Sequence, residues 1–216
     1  MNFFSRIFLG VLTINFSSLC FSQDTSERQL YNLLSPIKSF SVNFSQQLMD
    51  EQGTTFQSLS GRLHAQKPNR VHWTVFEPAA QKIVSNGLRL WIYDPDLEQV
   101  IIQPFVEDIA TSPVSLFSGN LEGLNKAYLI ADRPTENPAL KSYLLTPKST
   151  GTLYSHLQID FVEQIPKAIE FVDSLGQTTN IDLHNVALNP QLSDDLFTFE
   201  IPAGVDVIDT VNKNAN

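Results

Sequence analysis

Between Gln66 and Val100 the chain alternates apolar and polar residues in short runs separated by turn residues, and this pattern restricts the fold more than any other feature. Val71, Trp73 and Val75 alternate with Arg70, His72 and Thr74, the period-two signature of a strand with one apolar and one polar face. One face must therefore be covered. Glu77-Pro78 breaks the run, Lys82 to Ser85 resumes it, and Asn86-Gly87 predicts a two-residue type I′ hairpin turn, because that dipeptide supplies positive φ angles at least cost. Leu88 to Tyr93 forms a dense aromatic strand. Asp94-Pro95-Asp96 turns it, and Glu98 to Gln103 runs back beside it.

The pattern continues on both sides. Asp24 to Ser39 is the one clear amphipathic helix, with Leu30, Leu33, Leu34 and Ile37 spaced at i, i+3, i+4 and i+7. Asp24 is its expected N-cap, Glu27 its first-turn acid, and Pro36 limits its length. Phe40, Val42 and Phe44 alternate as a first strand, and Leu59, Gly61, Leu63 and Ala65 as the inward set of a second. From Pro104 to Gly123 the alternation is lost, and Pro113 to Gly119 reads as a short helix opened by Pro and closed by Gly. Strands return at Tyr143 to Thr146, Leu157 to Phe161, Lys167 to Asp173 and Thr178 to Leu183, with Ser174 to Gln177 as a hairpin turn. Phe197, Phe199 and Ile201 alternate as a last strand. Roughly ten strands in one antiparallel meander, each wanting one covered face and few helices to cover it, imply a mainly β protein whose strongly curved sheet wraps around those helices.

The first 22 residues set the compartment. Met1 to Ser22 carries one positive charge, Arg6, then an apolar stretch through Phe16, then small residues ending at Ser22. That is the layout of a secretory signal peptide cut before Gln23, leaving a single domain over residues 23–216. An uncleaved anchor is the alternative, but the apolar stretch is short for a span of about 20 residues. Cys20 is the only cysteine, and Leu19 before it is not the small residue that lipid modification requires. Cleavage after Ser22 leaves no cysteine, hence no disulfide framework and no thiolate nucleophile. A formal net charge of −9, spread along the chain, argues against nucleic acid, whose phosphates demand a basic patch.

Motifs for catalysis are missing. His64, His72, His156 and His184 fall on four separate strands with no metal-ligand spacing, and each reads as a surface or edge residue. There is no G-x-S-x-G elbow, phosphate-cradling glycine loop or dinucleotide fingerprint. Asp94, Asp96 and Glu98 form the best carboxylate cluster, but Asp-Pro-Asp between two strands is ordinary turn chemistry. The chain is therefore expected to be no enzyme, with no cofactor, no metal and no catalytic residue, and a hydrolase with an unusual site is the weakest alternative. Fifteen phenylalanines and few directed polar groups point to a binding module with apolar surface. Periodicity alone favours a filled core over a cavity.

Lys67-Pro68 followed by Trp73, then Ile83 to Gly87, Leu90 to Pro95 and Glu98 to Val100, resembles the LolA family of periplasmic outer-membrane lipoprotein carriers. Phe44-Ser45-Gln46, Leu144 to Pro147, Phe197 to Pro202 and Gly204-Val205 extend the resemblance over nearly all of the chain after residue 22. It implies an incomplete barrel covered by a helical lid. It also implies that Phe44, Leu63, Val71, Trp73, Ile83, Trp91 and Tyr93 line a pocket for the acyl chains of lipoproteins, with Leu30, Leu34, Ile37, Val114, Leu116 and Phe117 in the lid. By the same resemblance the protein is a periplasmic monomer. Its donor is an inner-membrane ABC-type lipoprotein release complex and its acceptor a lipid-anchored outer-membrane receptor. Family members usually carry Arg before the proline of the central motif, where it holds the lid closed. Lys67 stands there instead, keeping the charge but not the planar fork, so a looser latch is expected, with Arg70 as the alternative donor although alternation places it on the polar face. The competing reading is a periplasmic β-sheet interaction module with a solid core.

Overall fold

The computed structural model describes residues 25–105, 114–119, 121–150, 152 and 154–211. The expected signal segment, the Asp24 cap and Pro113 lie outside the described residues. Helix α1 spans Ser26–Leu34, followed by strands β1 (Ser39–Met49), β2 (Thr55–Gln66), β3 (Arg70–Glu77), β4 (Gln81–Asn86), β5 (Arg89–Asp94) and β6 (Gln99–Pro104). Two one-turn helices, α2 (Ser115–Ser118) and α3 (Leu124–Ala127), separate these from β7 (Tyr128–Arg133), β8 (Leu140–Pro147), β9 (Tyr154–Val162), β10 (Ile165–Asp173), β11 (Thr178–Leu188) and β12 (Asp206–Asp209).

All twelve strands form one sheet in the order β12, β6, β5, β4, β3, β2, β1, β11, β10, β9, β8, β7. The long strand β1 is its centre, paired antiparallel with β2 on one side and β11 on the other. The edge strands β12 and β7 do not pair with each other, so the curved sheet stays open. Its concave face carries the main core. Phe40, Val42 and Phe44 of β1, Leu63 and Ala65 of β2, Ile181 and Leu183 of β11, and Leu157, Ile159 and Phe161 of β9 are all buried there with Leu30, Leu34, Leu116 and Phe117 from the helices.

The structure departs from the sequence expectations at α1, at the β4–β5 turn and after β11. Helix α1 starts later and stops earlier than expected: Thr25 caps it, its Oγ1 accepting from the Arg28 amide at 3.4 Å, and it ends at Leu34, ahead of Pro36. Ile37 is buried but lies beyond the helix. In the β4–β5 turn only Gly87 has a positive φ, 93°, and Ser85 pairs with Leu90, so the loop is wider than a two-residue type I′ turn. Asn86 instead closes it with its side chain, accepting from the Leu88 and Arg89 amides, both at 2.9 Å.

The expected last strand at Phe197 to Ile201 is not a strand. Ser193 accepts from the Asp195 amide and starts a 3-10 turn over Asp194–Phe197. The chain then runs as a strap across the convex face, with Phe199 5.7 Å from the Tyr93 ring, before β12 joins β6 in parallel. The sheet is thus an antiparallel meander with one parallel edge. Alternation of Phe197 and Phe199 reflected packing on that face rather than ladder pairing. Asn189 anchors the strap's root, its Oδ1 accepting from the Lys38 amide at 2.6 Å and its Nδ2 donating to the Pro36 carbonyl at 3.1 Å.

Gly61 marks where β2 bends. A bulge separates Ser60 from Gly61 in the pairing with β3, and the Phe44 ring lies across the glycine. A Cβ there would sit 2.1 Å from the Thr74 carbonyl oxygen and 2.5 Å from Phe44 Cζ. The first of these atoms is backbone and cannot swing away. Gly61→Ala is therefore expected to lower stability by about 1–3 kcal/mol through overpacking, seen as a lower denaturant midpoint at unchanged slope. An unchanged midpoint would show that the sheet flexes here at no cost.

Candidate functional site

The concave face is not completely filled. A cavity of about 280 Å³ is lined by Gln46, Val71, Trp73, Ile83, Leu90, Phe105, Val114, Ser118, Phe171 and Ile181. Beside it a void of about 10 Å³ is bounded by Val42, Phe44, Leu63, Trp73, Val114, Phe117, Ile169, Ile181 and Leu183. Strand register explains the lining. Residues directly opposed in a sheet share a face, and Val71 opposes Ser85 while Trp73 opposes Ile83, so β3 and β4 present these four inward. Phe44 and Trp73 touch at 4.4 Å between ring centroids, which joins the walls of the two spaces.

Of the seven residues expected in the pocket, Val71, Trp73 and Ile83 line the cavity, and Phe44 and Leu63 line the smaller void. Trp91 and Tyr93 do not. Ile83 opposes Ile92 and Ser85 opposes Leu90, so the concave residues of β5 are Leu90 and Ile92, while Trp91 and Tyr93 point to the convex face, where Tyr93 meets Phe199 of the strap. Gln46, Leu90, Phe105, Ser118, Phe171 and Ile181 also line the cavity and lie outside the expected set. The signal for Leu90 was present in the hairpin parity, and Phe171 and Ile181 lie on strands whose apolar alternation was legible.

The helices cover the cavity unequally. Phe117 of α2 stacks on Phe40 with ring centroids 4.1 Å apart and planes 3° from parallel, and Leu116 beside it is buried. Val114 and Ser118 reach the cavity lining itself. Leu30, Leu34 and Ile37 are buried in the core and line neither space.

Lys67 sits in the β2–β3 turn and reaches the lid. Its Nζ donates to the Leu34 carbonyl at 3.0 Å, at the carbonyl-rich end of α1, and its backbone amide donates to the Lys38 carbonyl at 3.0 Å. Burial, and secondarily the charge of Lys38, pull the Lys67 pKa down to about 8. Two residues on, the Asn69 amide donates to the Ser118 carbonyl of α2 at 2.7 Å. One turn therefore grips both helices.

The histidine pair lies on the other side of the sheet. His64 and His72 oppose each other on β2 and β3, with ring centroids 6.2 Å apart. His72 Nδ1–H donates to the Leu196 carbonyl of the strap at 2.7 Å, and burial is the main cause that lowers the pKa of each ring. Both rings are half-buried rather than freely exposed at a surface or edge, His72 against the strap. Arg70 fastens the same strap, bonding Asp194 at 2.6 Å and lying 5.2 Å over the Phe197 ring. Among the described residues no group of three or more His, Cys, Asp or Glu side chains is placed to hold a metal ion.

An open curved sheet around an apolar cavity, with short helices latched across it, defines a lidded binding protein. The family model for the outer membrane lipoprotein carrier protein LolA matches residues 35–200. An outer-membrane lipoprotein carrier protein of Hahella chejuensis is 37% identical over 179 residues, 83% of this chain and 86% of that protein. One of Pseudomonas aeruginosa is 32% identical over 209 residues, 96% of this chain and 99% of that protein. The fold is also similar to that of an uncharacterized conserved protein from Thermus thermophilus, with a TM-score of 0.54 at 12% identity over 86% of this chain and 99% of that chain. The chain belongs to the LolA family.

The Lys67 proton is expected to respond to movement of α1. The closed form binds it with a pKa of about 8, whereas a lid that opens returns the amine to water and toward 10.5. The open form then holds more protons across that window, and raising pH through it favours closure. Uptake of an apolar fluorescent dye is therefore expected to fall between pH about 8 and about 10.5, and the fall to disappear in Lys67→Met. An equal fall in the variant would assign the pH response to another group.

Proposed function

We propose that this protein is a periplasmic carrier that takes up the acyl chains of lipoproteins and delivers them toward the outer membrane. The observation that carries this reading is the lidded apolar cavity, whose only polar lining residues among those described are Gln46 and Ser118. Such a lining binds hydrocarbon without directing a reaction on it. The naming of relatives as outer-membrane lipoprotein carrier proteins supports the same cargo.

Physical scale makes a carrier necessary. Each buried methylene contributes about 0.8 kcal/mol, so the acyl chains of one lipoprotein amount to tens of kcal/mol that oppose passage through water. The cargo has to move from one apolar site to another. At about 280 Å³ the cavity matches the lower end of sites for a single drug-sized molecule, too small for several acyl chains. Loading therefore requires α1 and α2 to move apart, and the core residues beneath them, Phe40, Phe44 and Leu63, then join the binding surface. Lys67 is the latch on α1. Lys offers one compact charge where Arg offers a planar fork of donors, so the closed lid is held less rigidly than an Arg latch would hold it.

In this reading Met1 to Ser22 directs export and is removed, the cargo arrives from an inner-membrane ABC-type release complex, and a lipid-anchored outer-membrane receptor accepts it. A formal net charge of −9 weakens adsorption to anionic lipid, which suits a carrier that handles acyl chains in solution. The protein works as a monomer and binds no nucleotide. The solid-core interaction module loses its main support, since the concave face is incompletely filled.

Native mass spectrometry of gently purified periplasmic protein tests the reading. Co-purifying acylated lipoprotein is expected, and it should be lost in Trp73→Asp while circular dichroism stays unchanged. An empty protein that also takes up no lipoprotein from inner-membrane vesicles bearing the release complex would refute it.

A further inference from the structure

Lys67 holds α1, but α1 contributes nothing to the cavity lining. Among the described residues, the helical part of the cavity wall comes from α2, through Val114 and Ser118. The sheet bonds α2 through the Asn69 amide, which donates to the Ser118 carbonyl at 2.7 Å. Ser118 is the last residue of that helix, where carbonyls have no partner within the helix. The bond therefore satisfies a group that the helix itself leaves open.

The Asn69 amide is aimed by its surroundings. Asn69 has a φ of 59°, a left-handed conformation that asparagine tolerates better than most residues. Its own carbonyl accepts from Ser85 Oγ at 2.8 Å. The same Ser85 hydroxyl accepts from the Gly87 amide at 3.0 Å, which joins the β2–β3 turn to the β4–β5 turn. Ser85 is completely buried, so its hydroxyl has no water as an alternative partner and the two bonds persist together.

We propose that Ser85 is a positioning residue for cargo entry: through Asn69 it latches α2 over the cavity, independently of the Lys67 latch on α1. The two latches differ in chemistry. The first is a charged side chain that responds to pH and salt; the second is a neutral backbone bond braced by a buried hydroxyl. A cargo or partner that draws Lys67 away from the Leu34 carbonyl frees α1 and leaves the cavity covered. Entry requires the second bond to break as well. The role in cargo entry rests on the carrier reading, whereas the two-latch arrangement is a property of the lid and is tested without lipid.

Hydrogen exchange resolved to single amides, on the mature protein, separates the latches. In Ser85→Ala the amides of Asn69, Ser118 and Gly119 should exchange at least about fivefold faster, with the α1 amides unchanged. Lys67→Ala should produce the reverse pattern. Ser85→Cys, close in shape but a weak donor, should act in the same direction by less, and it carries the comparison where the alanine variant does not fold. Unchanged α2 exchange in both Ser85 variants, or equal acceleration of α1 and α2 in each, would overturn the proposal. The exchange pattern with no uptake of an acylated lipopeptide would uphold the two latches and remove the carrier reading instead.

Discussion

A sheet that never closes into a barrel leaves one apolar face that has to be kept from water, and the rest of the molecule is arranged around that requirement. Twelve strands curve far enough to make a trough, and the residues that fill it come from short helices between β6 and β7 and from α1 at the other end of the chain. Short helices bring little backbone rigidity of their own. They stay in place because Leu30, Leu34, Leu116 and Phe117 are buried and because the Lys67 to Asn69 turn bonds to each in turn. A cover held by a few bonds and a modest apolar contact can be removed without unfolding the sheet beneath it.

The convex face is handled differently. There the strap after Asn189 lies across β3 to β6, and Val84, Val100, Ile102 and Phe197 are buried under or within it. This second apolar layer is fastened by the Arg70 to Asp194 pair, the His72 to Leu196 bond and the pairing of β12 with β6. It gives the strands that carry Val71, Trp73 and Ile83 a firm back. The lid side can then move against a wall that does not, which is the division of labour a carrier needs.

Much of this was legible in the sequence. Alternation of Val71, Trp73 and Val75 placed β3 and its inward face correctly, and the Asp94 and Ser174 turns fell where expected. The resemblance singled out position 67, and Lys67 Nζ donates to the Leu34 carbonyl of α1. Trp91 and Tyr93, which the resemblance implied for the pocket, fall on the convex face by parity: an even-length hairpin loop puts Ile83 opposite Leu90 or Ile92, never opposite Trp91 or Tyr93. The strap was misread because an extended segment packing alternate residues on a sheet face has the same period as a strand within it. Nothing local could separate cavity from core, since both are lined by the same apolar residues; the difference lies in volume, which only the assembled packing decides.

The central claim is that acyl chains enter the trough beside Trp73 when the lid parts. Its most direct test uses the opposite placement of the two tryptophans. In a Trp91→Phe protein the remaining Trp73 fluorescence is titrated with a lipopeptide whose acyl chains carry bromine, a short-range quencher. The account predicts saturable quenching of Trp73, and little quenching of Trp91 in the converse Trp73→Phe protein. Quenching confined to Trp91, or absent from both, would contradict it and move the binding surface elsewhere.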